Sequence, residues 1–267
     1  SSKPGLMRSS LVAACVFLLL GLAVCGPVET FQKWLKEGGV DTSAVKVVDF
    51  DRSGRGLRAT KAFSEGDVLF TVPSEMILSP AQIEGTELFK LGLFDAEEPE
   101  EGEEPEVQVP FSYHMAMFLL DERAKGAESV WAPYIDMLPE KISSTIFWDE
   151  LDMDELEGTA LKDNTERSLA ALTEDFEELV LPKIKANADA PPALQEITVD
   201  DFLWAIAMQT SRSFVGRLND SEIGFLVPLA DMFDLAIEPD VVMVFEPETS
   251  ALQVKAAHDI AKGDQLS

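Results

Sequence analysis

Two cysteines, two histidines and two tyrosines are all that the chain holds of these three chemically versatile side chains. Cys15 and Cys25 both lie in an apolar N-terminal segment, so the folded body has no thiol. That excludes a disulfide framework, a cysteine-rich zinc cluster and a cysteine nucleophile from it. The histidines are His114, on an apolar helical pattern, and His258, on a predicted strand. For each, a satisfied structural imidazole is a commoner role than metal ligand or triad member. Positive charge is also short: 21 Lys and Arg stand against 49 Asp and Glu, a formal net charge of -28. A surface this acidic repels phosphates, so direct nucleic-acid binding is not expected and a basic partner or peptide is favoured. The charge also serves plain solubility.

Hydrophobic residues are plentiful at 46%, enough for a substantial core. After Met7 and Arg8 comes an unbroken apolar run over 11–24, centred on Leu18, Leu19 and Leu20. One basic residue, a short apolar stretch and the small residues Ala23 and Gly26 match a secretory signal peptide over 1–26. The run is short for a membrane span, which needs about 20 apolar residues. A signal anchor is the main alternative, giving membrane contact through this segment alone, and the first part of a plastid-targeting sequence is another. The sequon Asn219-Asp220-Ser221 has meaning only on the secretory route.

Phe31, Trp34 and Leu35 space as a helix over 29–38 that stops at Gly38 and Gly39. Residues 45–50 read as a strand, 51–56 as a tight loop, and 57–62 and 67–72 as further strands, with Pro73 ending the last. The loop sequence SGRGLRAT is followed by a strand and not a helix, so the Walker and dinucleotide readings fail. A Gly-rich turn between strands is the plain reading, and it also lets a ligand approach bare backbone. Dense acidic residues with Pro99, Gly102 and Pro105 mark 95–110 as a disordered loop.

From 111 to 200 the period is helical, with Met115, Phe118 and Leu119 on one face and Leu169, Leu172, Phe176, Leu179 and Val180 on another. A connector is expected over 187–192. An amphipathic helix over 201–209 then delivers Ser211, Arg212 and Ser213, and a strand-like apolar run over 225–229 ends at Asp231. On residue type alone, a lone Arg and a lone Asp beside buried segments are more often a structural ion pair than catalytic machinery. Strands return over 241–245 and 252–256, and 258–266 reads as the start of another hairpin, in which the chain stops at Ser267. The expected architecture is α+β: one composite domain in two β-rich parts, 27–94 and 201–267, interrupted by a helical insertion over 111–200.

Six phrases, FQKWLKEGG, GRGLRATKAFSEGDVLFTVP, WAPYIDMLP, DDFLWAIAMQTSRSF, VPLADMFD and AAHDIAKGDQL, occur in an order and at distances that resemble the split SET-domain protein methyltransferases, the group of the Rubisco large-subunit lysine methyltransferase and the actin-histidine methyltransferase. The resemblance covers the chain from about Phe31 onward. It implies a β-rich SET domain with a helical insertion that uses S-adenosylmethionine to methylate a lysine, or alternatively a histidine, of a protein substrate. It puts the cofactor-binding turn on Ser53, Gly54 and Arg55, and it places Arg212 and Asp231 facing the substrate nitrogen and the transferred methyl group. No metal is implied.

Two departures stand out. Where the family has Asn-His to help hold the cofactor, this chain has Asp234 and Leu235. Asp removes the amide donors and adds a negative charge that opposes the cofactor's carboxylate, while favouring its sulfonium; Leu removes the ring. The family also continues into a strand whose Tyr borders the methyl-transfer channel. That position falls beyond Ser267, so no catalytic residue is assigned, and Tyr113 and Tyr134 in the insertion do not match it. The chain therefore reads as a fragment with its C-terminal part truncated. A non-catalytic SET-like protein-binding module is the alternative to the enzyme.

Overall fold

A computed structural model describes residues 26–51, 53–94, 109–218 and 221–267. The expected signal segment with Cys15 and Cys25, most of the acidic loop, and Asn219 and Asp220 of the sequon lie outside the described residues.

Ten α-helices and eight strands follow one another among the described residues. The helices are α1 (Pro27–Glu37), α2 (Pro80–Glu84), α3 (Glu87–Lys90), α4 (Phe111–Lys125), α5 (Ala132–Ile135), α6 (Glu150–Asp154), α7 (Ala160–Asp175), α8 (Leu181–Ala186), α9 (Pro192–Gln195) and α10 (Val199–Arg212). The strands are β1 (Val45–Phe50), β2 (Gly54–Ala59), β3 (Val68–Pro73), β4 (Phe214–Leu218), β5 (Ser221–Phe225), β6 (Val241–Glu246), β7 (Ala251–Ala256) and β8 (Gln265–Leu266). The architecture is α+β, with strands on both sides of a helical stretch.

The two sides meet in the sheets. β1 and β2 form an antiparallel hairpin, Val45 opposite Ala59 and Phe50 opposite Gly54, and β8 adds to the other edge of β2 with Leu266 opposite Leu57 and Gln265 opposite Arg58. The second sheet runs β3-β7-β6, so here too an early strand pairs with a late one. Single bridges, Phe63 with Ile260 and Leu78 with Leu226, fasten the loops between them.

One expected strand and one expected hairpin do not form. The apolar run 225–229 belongs to β5 only at Phe225; Leu226 makes the one bridge to Leu78, and Leu229 then turns the chain at φ 75° into a 3-10 turn, Ala230–Met232. A left-handed conformation at a branched, buried residue is rare and costs about 1–3 kcal/mol. The segment is apolar because it is buried, and burial does not distinguish a strand from a turn. The expected hairpin over 258–266 is absent as well: Ile260 bridges to Phe63 and β8 pairs with β2, so the segment crosses between the two sheets. His258 lies past the end of β7, its Nε2 3.2 Å from Asp240 Oδ1.

α4 and α10 pack against each other. The capping box at the start of α10 has the Thr198 hydroxyl accepting from the Asp201 amide and the Asp201 carboxylate accepting from the Thr198 amide. This sets the helix start two residues earlier than the apolar pattern shows. Every residue from Phe202 to Gln209 is buried, which exceeds an amphipathic stripe. Tyr113 of α4 meets Phe202 edge-on, Phe176 stacks on Phe202, and Trp204 donates its indole N–H to the Pro139 carbonyl at 3.0 Å. A helix covered on all sides is hydrophobic all round, and this one is held rigidly where its C-terminal end delivers Arg212.

Candidate functional site

The C-terminal end of α10 faces the 3-10 turn Ala230–Met232. Arg212 Nη1 donates to Asp231 Oδ2 at 3.3 Å and to the Asp231 carbonyl at 3.1 Å. The Tyr134 hydroxyl, from α5, donates to the same Oδ2 at 2.9 Å. The Asp231 side chain is 0% exposed and that of Arg212 22%. Burial drives the Asp231 carboxyl above the ordinary aspartate range, while Arg212 and Tyr134 pull it back. Burial also pushes the Tyr134 phenol well above its usual value, reinforced by the neighbouring carboxylate.

The ion pair expected of Arg212 and Asp231 is thus present, but it is not self-contained. Asp231 Oδ1, Arg212 Nε and Gln209 Oε1 are all buried without a hydrogen-bond partner among the described residues. Gln209 lies one helical turn before Arg212, on the same side of α10. Buried polar atoms without partners are uncommon and costly, and two within one ion pair mark a place built to receive a polar group. The neighbouring hydroxyls do not take part. Ser211 Oγ bonds back to the Ala207 carbonyl at 2.7 Å, and Ser213 is the C-cap.

The expected cofactor residues form a second corner. Ser53 lies in the turn before β2, and Gly54 starts the strand at φ 74°, with open space where a Cβ would stand. Ser53 Oγ accepts from Gln265 Nε2 at 2.9 Å, and the same nitrogen donates to Asp234 Oδ2. The structure therefore brings Ser53 and Asp234 together through Gln265. Arg55 turns the other way: its Nη1 donates to the Met137 carbonyl at 2.7 Å, tying the turn to the segment after α5. Leu235 is fully exposed to solvent.

One stretch joins the corners. From Asp231 the chain passes β2 at Gly56, where an added Cβ would stand 3.6 Å from the Met232 carbonyl and 3.2 Å from the Phe50 ring. Phe233 then stacks on Phe70 at 6.0 Å, and Asp234 follows.

Tyr134 and Gln265 escaped the sequence reading. Tyr134 fits an apolar helical pattern and reads as a core aromatic; a buried Tyr does, however, need a partner for its hydroxyl, and that was the available signal. Gln265 sits in a two-residue strand; it falls within AAHDIAKGDQL, but nothing in that phrase gives its side chain a role.

No protein-family model matches the chain. It is 31% identical over 244 residues to the chloroplastic ribulose-1,5-bisphosphate carboxylase/oxygenase large subunit N-methyltransferase of Pisum sativum, a match covering 90% of this chain and 44% of that protein. It is likewise 31% identical over 208 residues to the chloroplastic fructose-bisphosphate aldolase-lysine N-methyltransferase of Arabidopsis thaliana, covering 78% and 39%. To the actin-histidine N-methyltransferase of Xenopus tropicalis it is 25% identical over 244 residues, covering 88% and 39%. Among solved structures, the SET domain of LSMT bound to lysine and AdoHcy superposes with a TM-score of 0.69 at 27% identity, over 91% of this chain and 53% of that one. Rubisco LSMT bound to AdoMet gives 0.69 at 28%, over 90% and 52%. The chain spans less than half the length of these curated relatives.

Proposed function

The chain belongs to the SET-domain protein methyltransferase family, and from that premise we propose that it transfers a methyl group from S-adenosylmethionine to a side-chain nitrogen of a protein, lysine first and histidine as the alternative. The observation that carries this reading is the divided Asp231 carboxylate. Tyr134 and Arg212 hold Oδ2, and Oδ1 is buried with no partner among the described residues.

That arrangement suits an amine. Oδ1 accepts an N–H of the entering side chain, and with the carboxylate fixed through Oδ2 the nitrogen lone pair is held in one direction. A carboxylate whose proton affinity is raised by burial is also a better proton acceptor than a free aspartate, and a lysine must lose a proton before its nitrogen can react. The Gln209 carbonyl, one helical turn before Arg212, is a further buried acceptor without a partner among the described residues.

The cofactor corner fits its ligand in outline. The left-handed Gly54 leaves backbone open to approach, and the Asp234 carboxylate complements the positive charges of sulfonium and ammonium. Ser53, Gly54 and Asp234 would hold the cofactor, with Arg55 and Leu235 contributing backbone only. When bound, S-adenosylmethionine supplies an electrophilic methyl group.

A protein-binding module without catalysis is the second reading, favoured by the solvent-facing Leu235 side chain and the acidic Asp234. Work in a plastid is supported by the chloroplastic relatives. Among the described residues no helix is long and apolar enough to cross a membrane. Titration calorimetry with S-adenosylmethionine, followed by transfer of labelled methyl groups to proteins of a cell extract, tests the proposal. Cofactor binding with a labelled protein band is expected; neither binding nor label would leave the module reading in its place.

A further inference from the structure

We propose that Gln265 is a positioning residue for the cofactor, the side chain that makes Asp234 workable in this site. The inference rests on the methyltransferase reading and extends it to a residue to which the resemblance gives no role.

An ionised aspartate only accepts hydrogen bonds. Left to itself next to the turn at Ser53, the Asp234 carboxylate has no donor to hold it and is free to meet the negative end of an amino-acid ligand. Gln265 supplies the donor. Its carboxamide nitrogen carries two hydrogens, one directed to Asp234 Oδ2 and one to Ser53 Oγ. The side chain thus bridges a residue 212 positions away and another 31 positions away. Its own backbone is fixed by the β2–β8 ladder, where Gln265 stands opposite Arg58, and the Asp234 amide reaches the Leu266 carbonyl at 3.5 Å. Three segments are therefore closed into one rim by a single amide.

The bridge also fixes which way the amide faces. A carboxylate admits only the nitrogen end, so Gln265 Oε1 is turned away from Asp234 as a free-standing acceptor. Asp234 and Gln265 Oε1 together present acceptors, whereas an Asn-His pair presents donors. A rim of this kind favours the ammonium end of the cofactor's amino-acid moiety over its carboxylate end.

The test is calorimetric titration of S-adenosylmethionine into the wild-type chain and four variants: Gln265→Leu, Gln265→Glu, Asp234→Asn, and Gln265→Glu with Asp234→Asn. Melting temperatures are recorded for each. Gln265→Leu is expected to weaken binding about tenfold, the scale of one hydrogen bond to a charged group. Gln265→Glu sets two carboxylates against each other and is expected to weaken it more. In the double variant the new Asn amide donates to the new carboxylate, and binding returns to within about threefold of wild type. Wild-type affinity in Gln265→Leu, or no recovery in a double variant that melts like wild type, overturns the role of Gln265 while the methyltransferase reading stands. Absence of binding by the wild-type chain overturns both. Should Gln265→Leu fail to fold, the comparison of Gln265→Glu with the double variant decides.

Discussion

Tyr134 and Asp231, 97 residues apart in sequence, share a 2.9 Å hydrogen bond from phenol to carboxylate, and neither side chain touches solvent. Through it a short helix of the insertion reaches directly into the turn that follows β5. Tyr134 also packs against Phe31 of α1, with ring centroids 6.5 Å apart. The first helix, the insertion and the site are thereby in one line of contact.

Tyr134→Phe removes this hydrogen bond and keeps the ring. A buried carboxylate oxygen then loses one of its donors, which costs about 1–3 kcal/mol. Urea unfolding should show a loss in that range with an unchanged m-value. A change under about 0.5 kcal/mol would mean that the bond adds nothing beyond packing.

The acidity of Asp231 gives a pH prediction. Burial raises the folded-state value, so between the unfolded value and the folded one the folded protein keeps a proton that the unfolded chain has released. The stability contributed by this group is therefore largest below the unfolded value of about 3.9 and falls as pH rises through the folded value. Unfolding free energies of wild type and Asp231→Asn, measured from about pH 4 upward, should show wild type losing ground to the variant and then levelling off. Wild type gaining on the variant with rising pH would contradict the argument.

Arg212→Ala leaves a fully buried carboxylate without its cation. Breaking a buried pair costs about 3–5 kcal/mol, and the partial exposure of Arg212 places the loss at the lower end. Arg212→Lys should recover only part of it, since one ammonium does not reproduce the guanidinium's contacts to both the carboxylate and the Asp231 carbonyl. Equal stability of the Lys variant and wild type would show charge alone to be sufficient.

Gly54 and Gly56 should respond differently to alanine. At Gly54 there is space for a Cβ, but the left-handed backbone penalises it by about 1–2 kcal/mol. At Gly56 the backbone is ordinary and the obstacle is the Phe50 ring, which is only partly buried and can move aside. Thermal melts are expected to rank Gly54→Ala as the more damaging; the reverse order would place the constraint in packing.

Much of the β framework was legible because its signals are local. Val45–Phe50 is a strand in both readings, and the ends of β3, β6 and β7 shift by one residue at most from the apolar pattern. What could not be read is what depends on distant partners. The 225–229 run looked like a strand because it is apolar, and it is apolar because residues 226–229 are buried. Arg212 and Asp231 were recognisable from their motifs, yet Tyr134 and Gln265, which hold Asp231 and Asp234, are set by contacts that no periodicity records.

The pairing of β2 with β8 and of β3 with β7 has a consequence for synthesis. A ribosome adding roughly 5–20 residues per second needs on the order of 10–40 s to pass from the end of β2 to the start of β8. Throughout that interval one edge of β2 and one edge of β3 stand open, and open strand edges recruit other chains. The nascent protein is therefore most vulnerable while its helices are being made, and limited proteolysis of stalled chains should cut freely within 45–73 until residues 251–266 have emerged. The pairing of β8 with β2 also brings Gln265 to Ser53, so the late strand contact and the bridge to the turn before β2 form in one event.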